Sequence, residues 1–81
     1  METLYILIRC DLGSEVDSIN ELMKIPEVKE VRGTYGIYDI IVKLQGDSKL
    51  TLENIITHKI RMIPKIHSTV TLTTIPSQGG R

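Results

Sequence analysis

Val31-Arg32-Gly33-Thr34-Tyr35-Gly36-Ile37-Tyr38-Asp39-Ile40-Ile41-Val42-Lys43-Leu44 joins three features on which the fold turns. It holds a glycine-containing connection, a lone carboxylate at the mouth of an apolar run, and the run itself. Extended stretches over 28–34 and 37–44 flank Tyr35-Gly36, and two β-type runs separated by so short a connection predict a tight hairpin. Side chains alternate along a strand, so Tyr38, Ile40, Val42 and Leu44 fall on one face and Ile37, Asp39, Ile41 and Lys43 on the other. Asp39 therefore sits among aliphatic neighbours, where an unpaired carboxylate is costly. Its donors come either from a ligand or from the protein itself, through Arg9, Arg32 or backbone N–H groups.

Upstream, Thr3-Leu4-Tyr5-Ile6-Leu7-Ile8-Arg9-Cys10 is β-branched and aliphatic on both faces, the pattern of a strand that needs cover on two sides. Asp11-Leu12-Gly13 breaks it. Ser14 and Asp17 then resemble a capping box at the start of a helix over 15–24, with Val16, Ile19, Leu22 and Met23 on one face and Asp17, Asn20 and Glu21 on the other. Pro26 ends that helix. Beyond the hairpin and Gln45-Gly46-Asp47, a second helix capped by Asp47, Ser48 or Thr51 runs to about Met62, and its apolar face is Leu52, Ile55, Ile56, Ile60 and Ile63. Pro64 stops it. The last strand, over 66–75, sets Ile66, Val70 and Leu72 against His67, Thr69, Thr71, Thr73 and Ile75 on its opposite face.

Ile25-Pro26-Glu27-Val28 and Ile63-Pro64-Lys65-Ile66 join helix to strand in the same way, so the order β-α-β occurs twice. Two such units with right-handed crossovers predict an α+β, ferredoxin-like βαββαβ fold: a four-stranded antiparallel sheet with both helices on one face. Residues 1–76 form the single expected domain and 77–81 a flexible tail. A chain of 81 residues builds only a small core. Two short helices leave the second sheet face bare and partly aliphatic, which predicts a homodimer packed sheet on sheet, able to grow into larger homo-oligomers.

Composition removes other classes. The single cysteine, Cys10, offers no disulfide, and with His58 and His67 it has no zinc-site spacing, so neither metal nor cofactor is expected. Net charge is zero and the lysines are scattered among acids, which argues against a direct DNA-binding surface. No apolar run approaches the roughly 20 residues that span a bilayer. Met1-Glu2-Thr3 lacks the basic start of a secretory signal, and the lone thiol suits a reducing, cytoplasmic location. Cys10 with either histidine lacks a third, orienting group, so no enzymatic activity is expected.

The element order, the Ile-Pro joints, Gly36-Ile37-Tyr38-Asp39 after the turn and Thr69-Val70-Thr71 in the last strand together resemble the effector-binding RAM domain of the Lrp/AsnC regulators of amino-acid metabolism, over about residues 3–75. The resemblance implies a ferredoxin-like dimer that assembles into tetramers, octamers or rings, with a small amino acid held between dimers near the hairpin. It implies ligand contacts from the backbone around Gly36, from Asp39 to the ammonium, from Tyr38 along the pocket or interface, and from the hydroxyls of Thr69 and Thr71. Each has a plainer counterpart: a turn glycine, a hairpin carboxylate, a packing aromatic, ordinary strand threonines. Full-length members carry an N-terminal helix-turn-helix, whereas Met1-Glu2-Thr3 leads straight into the first strand. The expectation is a stand-alone effector domain that pairs with itself or with full-length regulators. Two alternatives stand beside it: an architectural co-assembly partner without ligand, and a dimeric α/β-barrel enzyme. Fold alone does not separate them, but the helix-facing positions are almost all aliphatic where such an enzyme needs His, Asp or Arg.

Overall fold

β1 (Glu2–Cys10) runs through the middle of the sheet, where a strand aliphatic on both faces belongs. In the computed structural model, which describes residues 1–80, β1 pairs antiparallel with β3 (Ile40–Gly46) on one side and with β4 (Ile66–Thr73) on the other. β2 (Val28–Gly33) lies at the edge beyond β3, giving the order β2-β3-β1-β4. α1 (Glu15–Met23) connects β1 to β2, and α2 (Lys49–Ile55) leads from β3 towards β4. This is the ferredoxin-like βαββαβ arrangement.

Alternation supplies the core. Leu4, Ile6 and Ile8 of β1 and Ile40, Val42 and Leu44 of β3 point to the helix side and are buried, closed over by Leu22, Leu52, Ile55, Ile56 and Ile60. Burying each such side chain contributes about 1.5–3 kcal/mol. The two Ile-Pro joints repeat in three dimensions as well: Val28 N–H donates to Ile25 O (3.0 Å) and Ile66 N–H to Ile63 O (3.4 Å), each following a bond from the next turn back, Ile25 N–H to Leu22 O and Ile63 N–H to Ile60 O.

Several local expectations are corrected. The hairpin is not a two-residue turn: β2 stops at Gly33 and β3 starts at Ile40, with Thr34 N–H donating to Asp39 O (2.8 Å) and the Thr34 hydroxyl to Tyr38 O (2.8 Å). Asp39 links both neighbours, its N–H donating to Ile8 O on β1 (2.9 Å) and its carbonyl accepting from Thr34 just beyond β2. In α1 the buried line is Ser14, Ser18 and Leu22, continued by Ile25; Val16 and Met23 face outward at 69% and 57% exposure. Ser14 makes no side-chain cap; its carbonyl accepts Ser18 N–H, the first bond of the helix. Ser48, by contrast, caps α2 through Thr51 N–H (3.1 Å). The second helix does not continue as a regular α-helix. It relaxes into a π-helical turn over Ile56–Ile60, closed by Arg61 N–H to Ile56 O (2.9 Å), with Ile56 and Ile60 buried.

β4 carries the last correction. A bulge opposite Arg9 and Cys10 shifts the register, so Ile66 packs against the core while Val70 and Leu72, register partners of Leu7 and Tyr5, lie on the open face. Beyond the sheet, Gln78 N–H donates to Ile75 O and closes a single 3₁₀ turn over Pro76–Gln78; Arg81, the last residue of the expected tail, lies outside the described residues.

Candidate ligand-binding site

Asp39 is the pivot of the site. Where β3 has not yet begun and β1 is ending, the Asp39 carboxylate takes the place of a ladder carbonyl: Cys10 N–H donates to its Oδ2 at 2.9 Å. Of the protein partners open to it in the sequence, the backbone N–H is the one used; Arg32 pairs instead with Glu30 (3.0 Å). The carboxylate is thus fixed at the mouth of the sheet with part of its acceptor capacity uncommitted.

Gly36 shapes the segment that brings Asp39 there. Its φ of +125° is a conformation L side chains rarely adopt, although a Cβ at this position would meet nothing within 4 Å. Gly36→Ala is therefore expected to lower stability by about 1–3 kcal/mol through backbone strain alone. A urea midpoint equal to that of the wild type would show that the turn relaxes freely.

The 34–39 segment and the end of β1 enclose an open depression of ≈ 490 Å³, whose lining includes Gly36, Ile37, Asp39, Arg9, Asp11 and His67. Asp11 and His67 face each other across the end of β1 and the start of β4 as a side-chain pair, and Asp11 N–H donates to Lys65 O (2.8 Å). Lys65 is held at φ +73°, so a strained residue fixes this wall. Cys10 lines the floor, buried. Burial pushes its thiol pKa up, the Asp39 carboxylate adds to the rise, and the Ser18 hydroxyl pulls the other way. A thiol held in this protonated form is a poor nucleophile.

Among the residues expected to form the site, the structure brings Gly36 and Asp39 into one depression. Tyr38 is half-buried beside it and contributes its carbonyl to the turn. Thr69 lies lower on β4, where its hydroxyl accepts from Arg61 Nε (3.2 Å), and Thr71 sits further along the same face, opposite Ile6. Neither threonine shares the depression with Asp39. Arg9, Asp11 and His67, which also line the depression, were not among the expected residues. Their signal in the sequence is only that polar residues cluster at strand ends, and which ends meet depends on strand order.

A sheet with one bare face and a polar depression where hairpin and central strand meet defines a small α+β ligand-binding domain. The chain belongs to the Lrp/AsnC family: residues 3–77 match the family described as Lrp/AsnC ligand binding domain. Solved structures agree. FFRP-DM1 is 41% identical over 93% of this chain and 100% of its own, with a TM-score of 0.87, and a hypothetical protein of Pyrococcus horikoshii is 41% identical over 93% of this chain and 90% of its own, with a TM-score of 0.86. E. coli AsnC, 28% identical with a TM-score of 0.87, aligns with 98% of this chain, which spans 54% of AsnC. A search of curated proteins finds no match. Family and fold together point to regulatory ligand binding rather than catalysis. Among the described residues no helix is long and apolar enough to cross a membrane.

Proposed function

We propose that this chain is an amino-acid-binding, oligomeric regulatory domain that senses a small amino acid and modulates transcription or metabolism through its state of assembly. The observation that carries the reading is the Gly36–Asp39 segment folded onto the end of β1, which fixes a carboxylate at a polar depression without consuming it. A fixed carboxylate is the partner an α-ammonium needs, and backbone N–H groups around Gly36 suit the other end of a zwitterion. Tyr38 contributes at the rim of the depression. Thr69 and Thr71 are further hydroxyl contacts, offered from the neighbouring strand β4.

Assembly is supported by the open face, where Tyr5, Leu7 and Ile41 are half-buried and Val70 and Leu72 are 38% and 45% exposed. A second copy packed on this face forms the dimer, and larger rings or full-length Lrp/AsnC regulators extend it. The work is done in the cytoplasm, where the buried thiol stays reduced. A ligand acts allosterically by binding one assembly more tightly than another. Isothermal calorimetry against the twenty amino acids, paired with sedimentation velocity, tests the reading. Heat from at least one amino acid is expected, with a shifted sedimentation distribution at saturation. No heat from any would remove the sensor and leave an architectural partner; heat without redistribution would remove the assembly mechanism.

A further inference from the structure

A net charge of zero hides an uneven division. Residues 1–53 hold all ten acids and six of the ten lysines and arginines, whereas residues 54–81 hold the other four and no acid. The fold places three of those four, Lys59, Arg61 and Lys65, on the stretch from the π-helical turn to the start of β4, the strand at the edge of the sheet. There an open groove of ≈ 320 Å³ is lined by Arg61, Ile66, His67, Ser68 and Thr69, without a carboxylate. That volume lies at the lower end of the range for small-molecule sites. The Asp11 carboxylate pairs with His67 but lines the Asp39 depression, not this groove.

Arg61 is fixed twice at this groove. Its backbone N–H closes the π turn on Ile56 O (2.9 Å), and its Nε donates to Thr69 Oγ1 (3.2 Å), so the guanidinium is held against β4. It makes no ion pair among the described residues, and its terminal N–H groups remain uncommitted. β4 pairs only with β1, so backbone N–H groups along its outer side are unpaired and add donors beside the guanidinium. We propose that Arg61 and this edge form a second site, apart from the Asp39 depression, which binds a phosphate group, free or as the monoester of a small ligand. A carboxylate is satisfied by the guanidinium fork alone. A phosphate presents further oxygens to the edge N–H groups and carries up to two charges, which a lining of cations without carboxylates favours over one. The site needs no amino acid and stands independently of the sensor reading.

Nuclear magnetic resonance of the isotope-labelled full chain at neutral pH, titrated with inorganic phosphate, AMP and acetate, tests the site. Phosphate and AMP are expected to shift the backbone amides of Arg61 and of residues 66–69 saturably, and phosphate to bind at least about 10-fold more tightly than acetate, the worth of a charged hydrogen bond. Whichever of the two phosphates binds more tightly identifies the source, free phosphate or monoester. Arg61→Met keeps the stem and removes the charge, so it is expected to weaken phosphate binding by at least about 10-fold. Arg61→Lys, which keeps the charge and loses the fork, should fall between them. Arg32→Met, on the β2 edge where the guanidinium pairs with Glu30, is the control and should bind phosphate as the wild type does. Wild type that binds acetate as tightly as phosphate, or shows no shift with either phosphate, overturns the site without recourse to any variant. An Arg61→Met protein that binds phosphate as tightly as wild type overturns it too. Duplex DNA that shifts these amides while phosphate and AMP leave them still overturns the small-ligand assignment.

Discussion

Leu7→Glu is expected to dissociate the proposed sheet-on-sheet dimer into folded monomers. Leu7 occupies the centre of the open face: its register partners are Ile41 on β3 and Val70 on β4, and Tyr5 with Leu72 continues the apolar strip. In a monomer a glutamate here reaches water, since the open face carries no helix, and the core on the other side of β1 is untouched. In a sheet-on-sheet dimer the same carboxylate must be desolvated without a partner, at an effective cost of several kcal/mol. The dimer dissociation constant should therefore rise by at least about 100-fold. Sedimentation velocity at micromolar protein should show the wild type as an oligomer and Leu7→Glu as a monomer with unchanged far-ultraviolet circular dichroism. Its unfolding midpoint should also lose the concentration dependence that a coupled oligomer shows. Lys49→Glu, exposed at the start of α2, serves as the control and should leave assembly intact. A Leu7→Glu protein that sediments with the wild type would place the interface elsewhere, and a monomeric wild type would remove it altogether.

That face was legible in the chain because strand alternation is a strong signal. Leu4, Ile6 and Ile8 against Tyr5 and Leu7 assign both sides of β1, and Ile40, Val42 and Leu44 do the same for β3. The repeated Ile-Pro joints then fix the helix-to-strand turns, and with them the topology. Helix faces were less legible. In a helix of nine residues a stripe through Val16, Ile19 and Met23 competes with one through Ser18 and Leu22, and small buried serines carry no hydropathy signal. The bulge that turns Ile66 inward while Val70 and Leu72 turn outward is a matter of backbone pairing, with no side-chain signature.

The lining of the depression was half legible for a related reason. Gly36 and Asp39 lie three residues apart and share a turn, so local chemistry identifies them. Arg9, Asp11 and His67 reach the same depression from the end of one strand and the start of another, and only the β1–β4 pairing makes them neighbours. The threonines of β4 illustrate the converse. Thr69 and Thr71 share a face by alternation, yet neither lines the depression that holds Asp39, whereas their neighbours His67 and Ser68 do.

Asp39 holds Cys10 N–H and, on the proposed reading, the ligand ammonium, and two substitutions separate these roles. Asp39→Ala removes the acceptor of Cys10 N–H, and a buried backbone donor left without a partner costs about 1–3 kcal/mol. Its thermal midpoint should fall, and its ligand affinity with it. Asp39→Asn keeps a carbonyl acceptor for Cys10 N–H and loses only the charge. Its midpoint at neutral pH should stay near that of the wild type, while affinity for the bound amino acid drops by about 10- to 100-fold, because the ammonium loses its ionic partner. The thiol gives an independent readout. Cys10 has its pKa raised by burial first and by Asp39 second, so the folded state holds its proton more tightly than the unfolded state. The resulting stability is fully present below the ordinary thiol range and is lost as pH rises through the folded value. Removing the Asp39 charge narrows the gap between the two states, so the alkaline loss of stability should be shallower in Asp39→Asn than in wild type. An Asn variant that binds amino acids as tightly as wild type, yet shows the shallower alkaline decline, would assign Asp39 to the fold alone and leave the ammonium to another acceptor.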